Sequence, residues 1–309
     1  MQAARIRIGT RGSPLALTQA HLVARRLAAA HGLNDDACDI VVIKTSGDRN
    51  LDRPLAEAGG KGLFTKEIEE ALLANKVDLA VHSMKDMPTV LPDGLVIGAV
   101  LEREDPRDAF ISMAHASLSD VPAGARIGTS SLRRQAQVLN RRPDVEVVPF
   151  RGNVETRLEK LADGQADATF LACAGLKRLG LTDHITEAID TDVMLPAVAQ
   201  GAIGVEIRAE DQDTARLVAP LNDAATALCV AAERAFLATL EGSCRTPIAG
   251  LAELRGGTLR FRGEILAPDG TQCYATERTG SARSALVLAE EAARELLARA
   301  GPGFFGAIA

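Results

Sequence analysis

A chain of 309 residues is longer than one hydrophobic core usually serves, so two or three domains are expected. Its 47% hydrophobic and 25% charged residues are those of an ordinary globular protein, and a net charge of −6 with no Trp and one Tyr supplies neither the basic footprint nor the stacking platform of a nucleic-acid binder. Five scattered cysteines, Cys38, Cys173, Cys229, Cys244 and Cys273, without a CxxC pair, argue against a disulfide framework, a redox couple or a zinc site, and no segment has the length and apolarity of a signal core or a membrane span, so a cytoplasmic protein with no membrane partner is expected.

Short β-branched runs alternate with helical spacing over about the first 220 residues, the signature of βα units on mainly parallel sheets. Strands are predicted at RIRIG, DIVVIKT, DLAVHSM, GLVIGAVL, DAFISM, ARIGTS, VEVVPF, DATFLA and AIGVEIRA. Helical spacing marks LALTQAHLVARRLAAAHG, closing on Gly32 as a C-terminal cap, and FTKEIEEALLANK. The charged stretch EREDPRD, 102–108, reads as a crossing between domains, with a second crossing near LPAVAQG, 195–201, after which AIGVEIRA returns to the first domain. From about residue 224 the order changes to a helix, ATALCVAAERAFLATL, then LRFRGEIL and QCYATERT joined by a PDG turn, then the helix SARSALVLAEEAARELLARA. The expected division is residues 1–101 with 202–219, residues 107–195, and a small α+β domain with an antiparallel sheet over 224–309.

The tetrapeptide RIGT occurs at 7–10 and again at 126–129, each time ending a strand before a turn rich in small hydroxyl residues and a helix. Ser13 can cap the first helix with Pro14 at its first position, and Ser130 or Ser131 can cap LRRQAQVLNRR. Two such units suggest two similar lobes, each offering a helix amino terminus to an anion.

Positive charge gathers at four turns after strands: Arg11 in GTRGSP, Lys61 and Lys66 in GGKGLFTKE, Arg133 and Arg134 in GTSSLRR, and Arg151 and Arg157 in RGNVETR. Glycine lets backbone N–H groups approach an anion and guanidinium grips a carboxylate bidentately, so the combination suits a ligand bearing carboxylates or phosphates. No phosphate-loop or dinucleotide fingerprint is present. In HSMKDMP, Lys85 and Asp86 stand side by side after a strand, where open α/β sheets build their sites. A carboxylate held beside an ammonium stays ionised and can stabilise a cationic intermediate or move protons; the plainer reading is a strand-end ion pair. His82 reads as a packed or hydrogen-bonded histidine. In EGSCRTP, the small and turn-forming residues around Cys244 suggest a loop that leaves the sulfur reachable, though local sequence alone leaves open a cysteine without chemistry.

Taken in order, GTRGSPLAL, GGKGLFTKE, DLAVHSMKDMP, GTSSLRRQAQ, RGNVETRL, LPAVAQGAIGVE and EGSCRTPIAG resemble the porphobilinogen deaminase (hydroxymethylbilane synthase) family from about residue 5 to the final helix. The resemblance implies three domains, the first two built like the lobes of periplasmic binding proteins. It implies a transferase of haem biosynthesis that adds four porphobilinogen units in succession, each losing ammonia, to a dipyrromethane cofactor held by a thioether at Cys244, and releases hydroxymethylbilane with water. By position, Arg11, Ser13, Lys85, Thr129, Ser131, Arg133, Arg134, Arg151, Arg157, Arg178 and Gln200 are implied to bind cofactor and substrate. Lys61 and Lys66 are implied to belong to a mobile active-site loop, because SGDRNLDRPLAEAGGKG is long, polar and glycine-bearing. Asp86 is implied to be the catalytic group, stabilising the azafulvene cation left when ammonia departs. A monomer is expected. One departure falls at the anchor, where Ser243 replaces the second glycine of the family's Gly-Gly-Cys; at a positive φ this would cost about 1 kcal/mol.

Two other classes fit parts of this pattern. A two-lobed solute-binding protein explains the charged turns but has no use for Cys244 or for Lys85 and Asp86. A cysteine hydrolase needs a histidine poised at Cys244, and none of His21, His31, His82, His115 or His184 is near it in sequence.

Overall fold

The computed structural model describes residues 5–34, 36–49, 63–242, 246–302 and 304. Early strands are β1 (Ile6–Thr10), β2 (Cys38–Val42), β3 (Leu79–Ser83) and β4 (Leu95–Val100). A second set follows: β5 (Asp108–Ser112), β6 (Arg126–Gly128), β7 (Glu146–Val148), β8 (Ala168–Ala172) and the two-residue β9 (Glu187–Ala188). The chain continues with β10 (Ile203–Arg208), β11 (Ile248–Arg255), β12 (Thr258–Leu266) and β13 (Cys273–Ser281).

The first sheet runs β2-β1-β3-β10-β4 and the second β7-β6-β8-β5-β9. In each, the first three strands are parallel, and the fourth, antiparallel to both its neighbours, is the strand that directly follows a crossing, β10 in the first sheet and β5 in the second. The RIGT echo is therefore the visible part of one topology used twice, with β1 matched by β6. As expected, AIGVEIRA returns to the first sheet as β10. The third sheet, β11-β12-β13, is antiparallel throughout. Two mainly parallel α/β lobes and a small α+β domain are the expected fold class.

The chain divides into two compact units. One joins the described residues up to Glu104 with Ala202–Ala227; the other joins Asp105–Gly201 with the described residues from Leu228 onward. In the first unit, Ser13 caps the helix Pro14–His31 by accepting from the Ala16 N–H at 3.3 Å. Proline at the first position and Gly32 at φ 61° punctuate the two ends of that helix. Its buried stripe, Ala20, Val23 and Leu27, packs with Ile8, Leu79, Val81 and Val205 on one face of the sheet. Ile68, Leu72, Val77 and Leu95 form the core on the helix Lys66–Leu73 side. Covering both faces explains why these strands read as apolar runs rather than alternating ones.

The second unit holds separate cores on the two faces of its parallel-rich sheet. One contains Phe110 and Phe170, edge to face at 5.7 Å, with Ile127 and Val138; the other contains Ile111, Phe150, Leu171 and Leu176. A third core lies between β11–β13, the helix Ala224–Thr239 and the helix Ala285–Ala300, built on Phe236 and Phe261 at 4.9 Å. The predicted PDG turn joins β12 to β13, with Gly270 at φ 74° and its carbonyl accepting from Asn140 Nδ2 at 2.8 Å. A Cβ at Gly270 would lie 2.4 Å from the Asn140 backbone nitrogen, so both conformation and space require glycine there.

Candidate active site

In the first unit the parallel strands β1 and β3 are neighbours, so the residues after them leave the same edge of the sheet. After β1 come Arg11, whose guanidinium lies 4.3 Å from the centre of the Phe64 ring, and the capping Ser13. After β3 the chain makes a single 3₁₀ turn, Met84–Asp86. Met84 and Met87 are buried, and Lys85 and Asp86 between them are half-buried. The turn is anchored by the Met84 N–H, which donates to Ala202 O at 3.0 Å. Beneath it, His82 Nε2 and Glu206 Oε2 are 3.0 Å apart and almost wholly buried, so His82 is the packed, hydrogen-bonded residue expected. Lys66 is the exposed first residue of a helix rather than part of a loop, with Nζ 4.0 Å from Glu70. Lys61 lies outside the described residues.

In the second unit the parallel strands β7, β6 and β8 are neighbours, and each leads into a predicted site segment. After β6, Thr129 is buried and its Oγ1 accepts from the Ser131 N–H at 3.2 Å; Ser131 caps the helix Leu132–Arg141, while Ser130 Oγ accepts from the Phe150 N–H. Arg133 and Arg134 are both buried and share one carboxylate, that of the fully buried Asp108. Arg134 donates through Nε and Nη2 to Asp108 Oδ1 at 3.1 and 2.6 Å, and through Nη1 to Phe170 O. Arg133 Nη1 lies 2.7 Å from Asp108 Oδ2 and donates to Leu195 O. Burial alone would raise the Asp108 pKa, but the charges of Arg133 and Arg134 and the hydrogen bonds of Arg133 and Gln200 outweigh it and hold the carboxyl well below its usual range. Two guanidiniums thus share one buried carboxylate where β6 meets its helix.

After β7, Arg151 is half-buried and its carbonyl accepts from Lys160 Nζ; Arg157 Nε donates to Gly152 O at 2.9 Å. After β8, Arg178 closes the short helix Cys173–Arg178 and donates to Gly201 O at 2.6 Å. Gln200 Nε2 donates to Asp108 Oδ1 at 3.0 Å and Pro106 O at 2.8 Å. The LPAVAQG turn is thus a junction for the site residues. Its Leu195 carbonyl takes Arg133 and Gln137, its Gly201 carbonyl takes Arg178, and the N–H of Ala199, at φ 60°, donates to the buried Glu233 at 2.6 Å.

Sequence reasoning missed the supporting acids: Asp108, Glu206 and Glu233. The signal available was a lone carboxylate in each of three apolar contexts, DAFIS, IGVEIR and VAAERAF. Cys244 lies outside the described residues. The helix before it, Ala224–Thr239, is followed by a turn with Glu241 at φ 53°, and a Cβ on Gly242 would come within 2.3 Å of Ile248 Cδ1.

Fold and site together define a class: a protein of two α/β lobes and a small α+β domain that collects cationic side chains where parallel strands end. A family model described as porphobilinogen deaminase, dipyromethane cofactor binding domain, matches residues 6–216, and the porphobilinogen deaminase C-terminal domain matches residues 227–298. The porphobilinogen deaminase of Paracoccus denitrificans (strain Pd 1222) is 62% identical over 300 residues, covering 97% of this chain and 96% of that one. That of Nitrobacter hamburgensis is 57% identical over 298 residues, covering 96% and 94%. The chain belongs to the porphobilinogen deaminase family. Among solved structures, an ABC transporter periplasmic substrate-binding protein from Coxiella burnetii aligns over 74% of this chain and 96% of its own, at 16% identity and a TM-score of 0.43. The family match extends through the C-terminal domain, which a solute-binding protein does not explain. Among the described residues no helix is long and apolar enough to cross a membrane.

Proposed function

We propose that this chain condenses four porphobilinogen molecules head to tail, with loss of ammonia, on a dipyrromethane primer held covalently at Cys244, and releases hydroxymethylbilane. The observation that carries the reading is that three neighbouring parallel strands of the second unit each lead into an arginine-bearing segment, Arg133 with Arg134, Arg151 with Arg157, and Arg178. Every pyrrole of the cofactor and growing chain brings an acetate and a propionate, and desolvated carboxylates need charged donors. The residues fit such a ligand: Arg133 Nε and Arg151 Nη1 are buried without a hydrogen-bond partner among the described residues, donors for which an incoming carboxylate would compensate the desolvation. When bound, the cofactor supplies the pyrrole carbon to which the first substrate is joined.

Arg11, Ser13, Lys61, Lys66, Lys85, Thr129, Ser131, Arg133, Arg134, Arg151, Arg157, Arg178 and Gln200 bind carboxylates of cofactor and substrate in this reading, directly or by orienting one another. Asp86, fixed on its 3₁₀ turn, stabilises the positive charge that develops on porphobilinogen as ammonia leaves and then helps move the proton lost when the carbon–carbon bond forms. Three domains serve this chemistry, residues 1–101 with 202–219, residues 107–195 and residues 224–309, the last carrying the anchor. The enzyme works as a cytoplasmic monomer, and its scattered cysteines without a CxxC pair fit a reducing compartment. Ammonia release and linear tetrapyrrole formation, followed together on purified protein given porphobilinogen, test the reading, which predicts four ammonia per tetrapyrrole. Porphobilinogen left unconsumed would reject it.

A further inference from the structure

We infer that β10, the strand that returns into the first lobe, positions the Lys85–Asp86 turn, with Gly204 as its principal positioning residue and Met84 as the side chain it seats. The inference rests on the reading of Asp86 as the group that meets porphobilinogen. A three-residue 3₁₀ turn has little internal stiffness, so its place is set by what holds the residues leading into it.

Those residues are held from both faces of β3. On one face, Ser83 Oγ and the side-chain amide of the buried Gln19 are 3.0 Å apart, tying the strand end to the helix Pro14–His31. On the other, His82 stands opposite Gly204 in the antiparallel ladder and bonds Glu206, two residues further along β10. Met84 follows, its N–H on Ala202 O, with its thioether filling the space above Gly204. A Cβ built on Gly204 would lie 2.1 Å from Met84 Sδ and 3.2 Å from Cγ. No side chain fits at 204 unless Met84 moves, and Asp86 is only two residues beyond it. This glycine carries a φ in the ordinary range, so the requirement is one of space and not of backbone conformation.

A group misplaced by about 1 Å can lose about 10²-fold in rate, so Gly204→Ala is expected to lower kcat about 10²-fold while KM stays within about twofold. The assay is steady-state turnover of porphobilinogen by purified holoenzyme, with intact mass confirming that the cofactor is retained. Truncating the obstructing side chain in the double variant Gly204→Ala with Met84→Ala should recover about tenfold or more of the lost kcat, a size complementation that general destabilisation would not produce. Wild-type kcat in Gly204→Ala, or a double variant no better than the single, overturns the inference. Should Gly204→Ala fail to fold, Met84→Leu, of similar volume but branched above Gly204, is expected to lower kcat about tenfold, and wild-type kcat in that variant overturns the inference equally. Asp86→Asn is measured beside them. Its near-normal turnover would reject the reading of Asp86, whereas its loss together with unimpaired Gly204→Ala would reject the positioning role alone.

Discussion

Replacing Asp108 with Asn removes one buried charge while keeping the shape of the side chain. The carboxylate is fully buried; Oδ1 accepts from Arg134 twice, at 3.1 and 2.6 Å, and from Gln200 at 3.0 Å, and Oδ2 faces Arg133 at 2.7 Å. An amide can accept on one side only, and its NH2 would meet a guanidinium donor to donor, leaving two buried cations without the carboxylate they share. Breaking a buried ion pair in this way costs about 3–5 kcal/mol. At about 2–4 °C per kcal/mol for a unit of this size, the expected fall in Tm at pH 7 is about 6–20 °C. The pH dependence has a definite sign. The folded-state pKa of Asp108 is depressed below its ordinary 3.8, so its contribution is complete above that value and is lost as pH falls through it toward the folded-state pKa. The gap between wild type and variant is therefore widest above about pH 5 and narrows below about pH 4. Calorimetry or urea denaturation across pH 3–7 reads it. A loss under about 1 kcal/mol at pH 7, or a gap that widens toward acid, would refute the assignment of Asp108 as the shared counter-ion.

Asp86→Asn should keep the fold and the bound cofactor but lose about 10²-fold or more in turnover, because an amide cannot balance developing positive charge; near-normal kcat would remove Asp86 from the mechanism. Arg151→Leu should impair cofactor assembly or chain elongation, read as a reduced fraction of protein carrying the cofactor mass or as stalled intermediates, and wild-type kinetics with full loading would show that the side chain binds nothing. Gly270→Ala should lower stability by about 1–3 kcal/mol, since the residue would face both a positive φ and the backbone of Leu139 and Asn140; an unchanged urea midpoint would mean that the β12–β13 tip and the helix Leu132–Arg141 separate freely.

Much of the fold could be read directly from sequence because each signal is local. Ser13-Pro14 starts a helix through chemistry contained within a few residues, and the RIGT repeat marks two strand ends of like design. The strand β11, IAGLAELR, was missed because its residues are small for a reason located elsewhere. Gly250 and Gly263 pair across the sheet beneath the Phe236 ring, and a Cβ on Gly263 would sit 2.6 Å from that ring. Smallness there makes room for a neighbour and so carries no strand signal of its own. The helix Val154–Ala162 was hidden by its charges, and β9 is too short to show any period. At the site, the arginines stood out because they follow glycine and hydroxyl residues at strand ends. Their acids did not, because pairing is set by tertiary packing: Glu206 lies 124 positions from His82, and Glu233 reaches an N–H 34 positions away.

The central claim is that a cysteine thioether holds the primer on which the chain is built. Intact mass of the purified protein, compared with Cys244→Ser, tests it most directly. The wild-type chain should be heavier than its sequence by one dipyrromethane, should gain successive pyrrole units when given limiting porphobilinogen, and should protect Cys244 from alkylation while Cys38, Cys173, Cys229 and Cys273 carry no cofactor. The serine variant should fold and carry no adduct, since a hydroxyl is a much poorer nucleophile than a thiolate. A wild-type mass equal to the bare sequence and unchanged after exposure to porphobilinogen, or an adduct that persists in Cys244→Ser, would contradict the account.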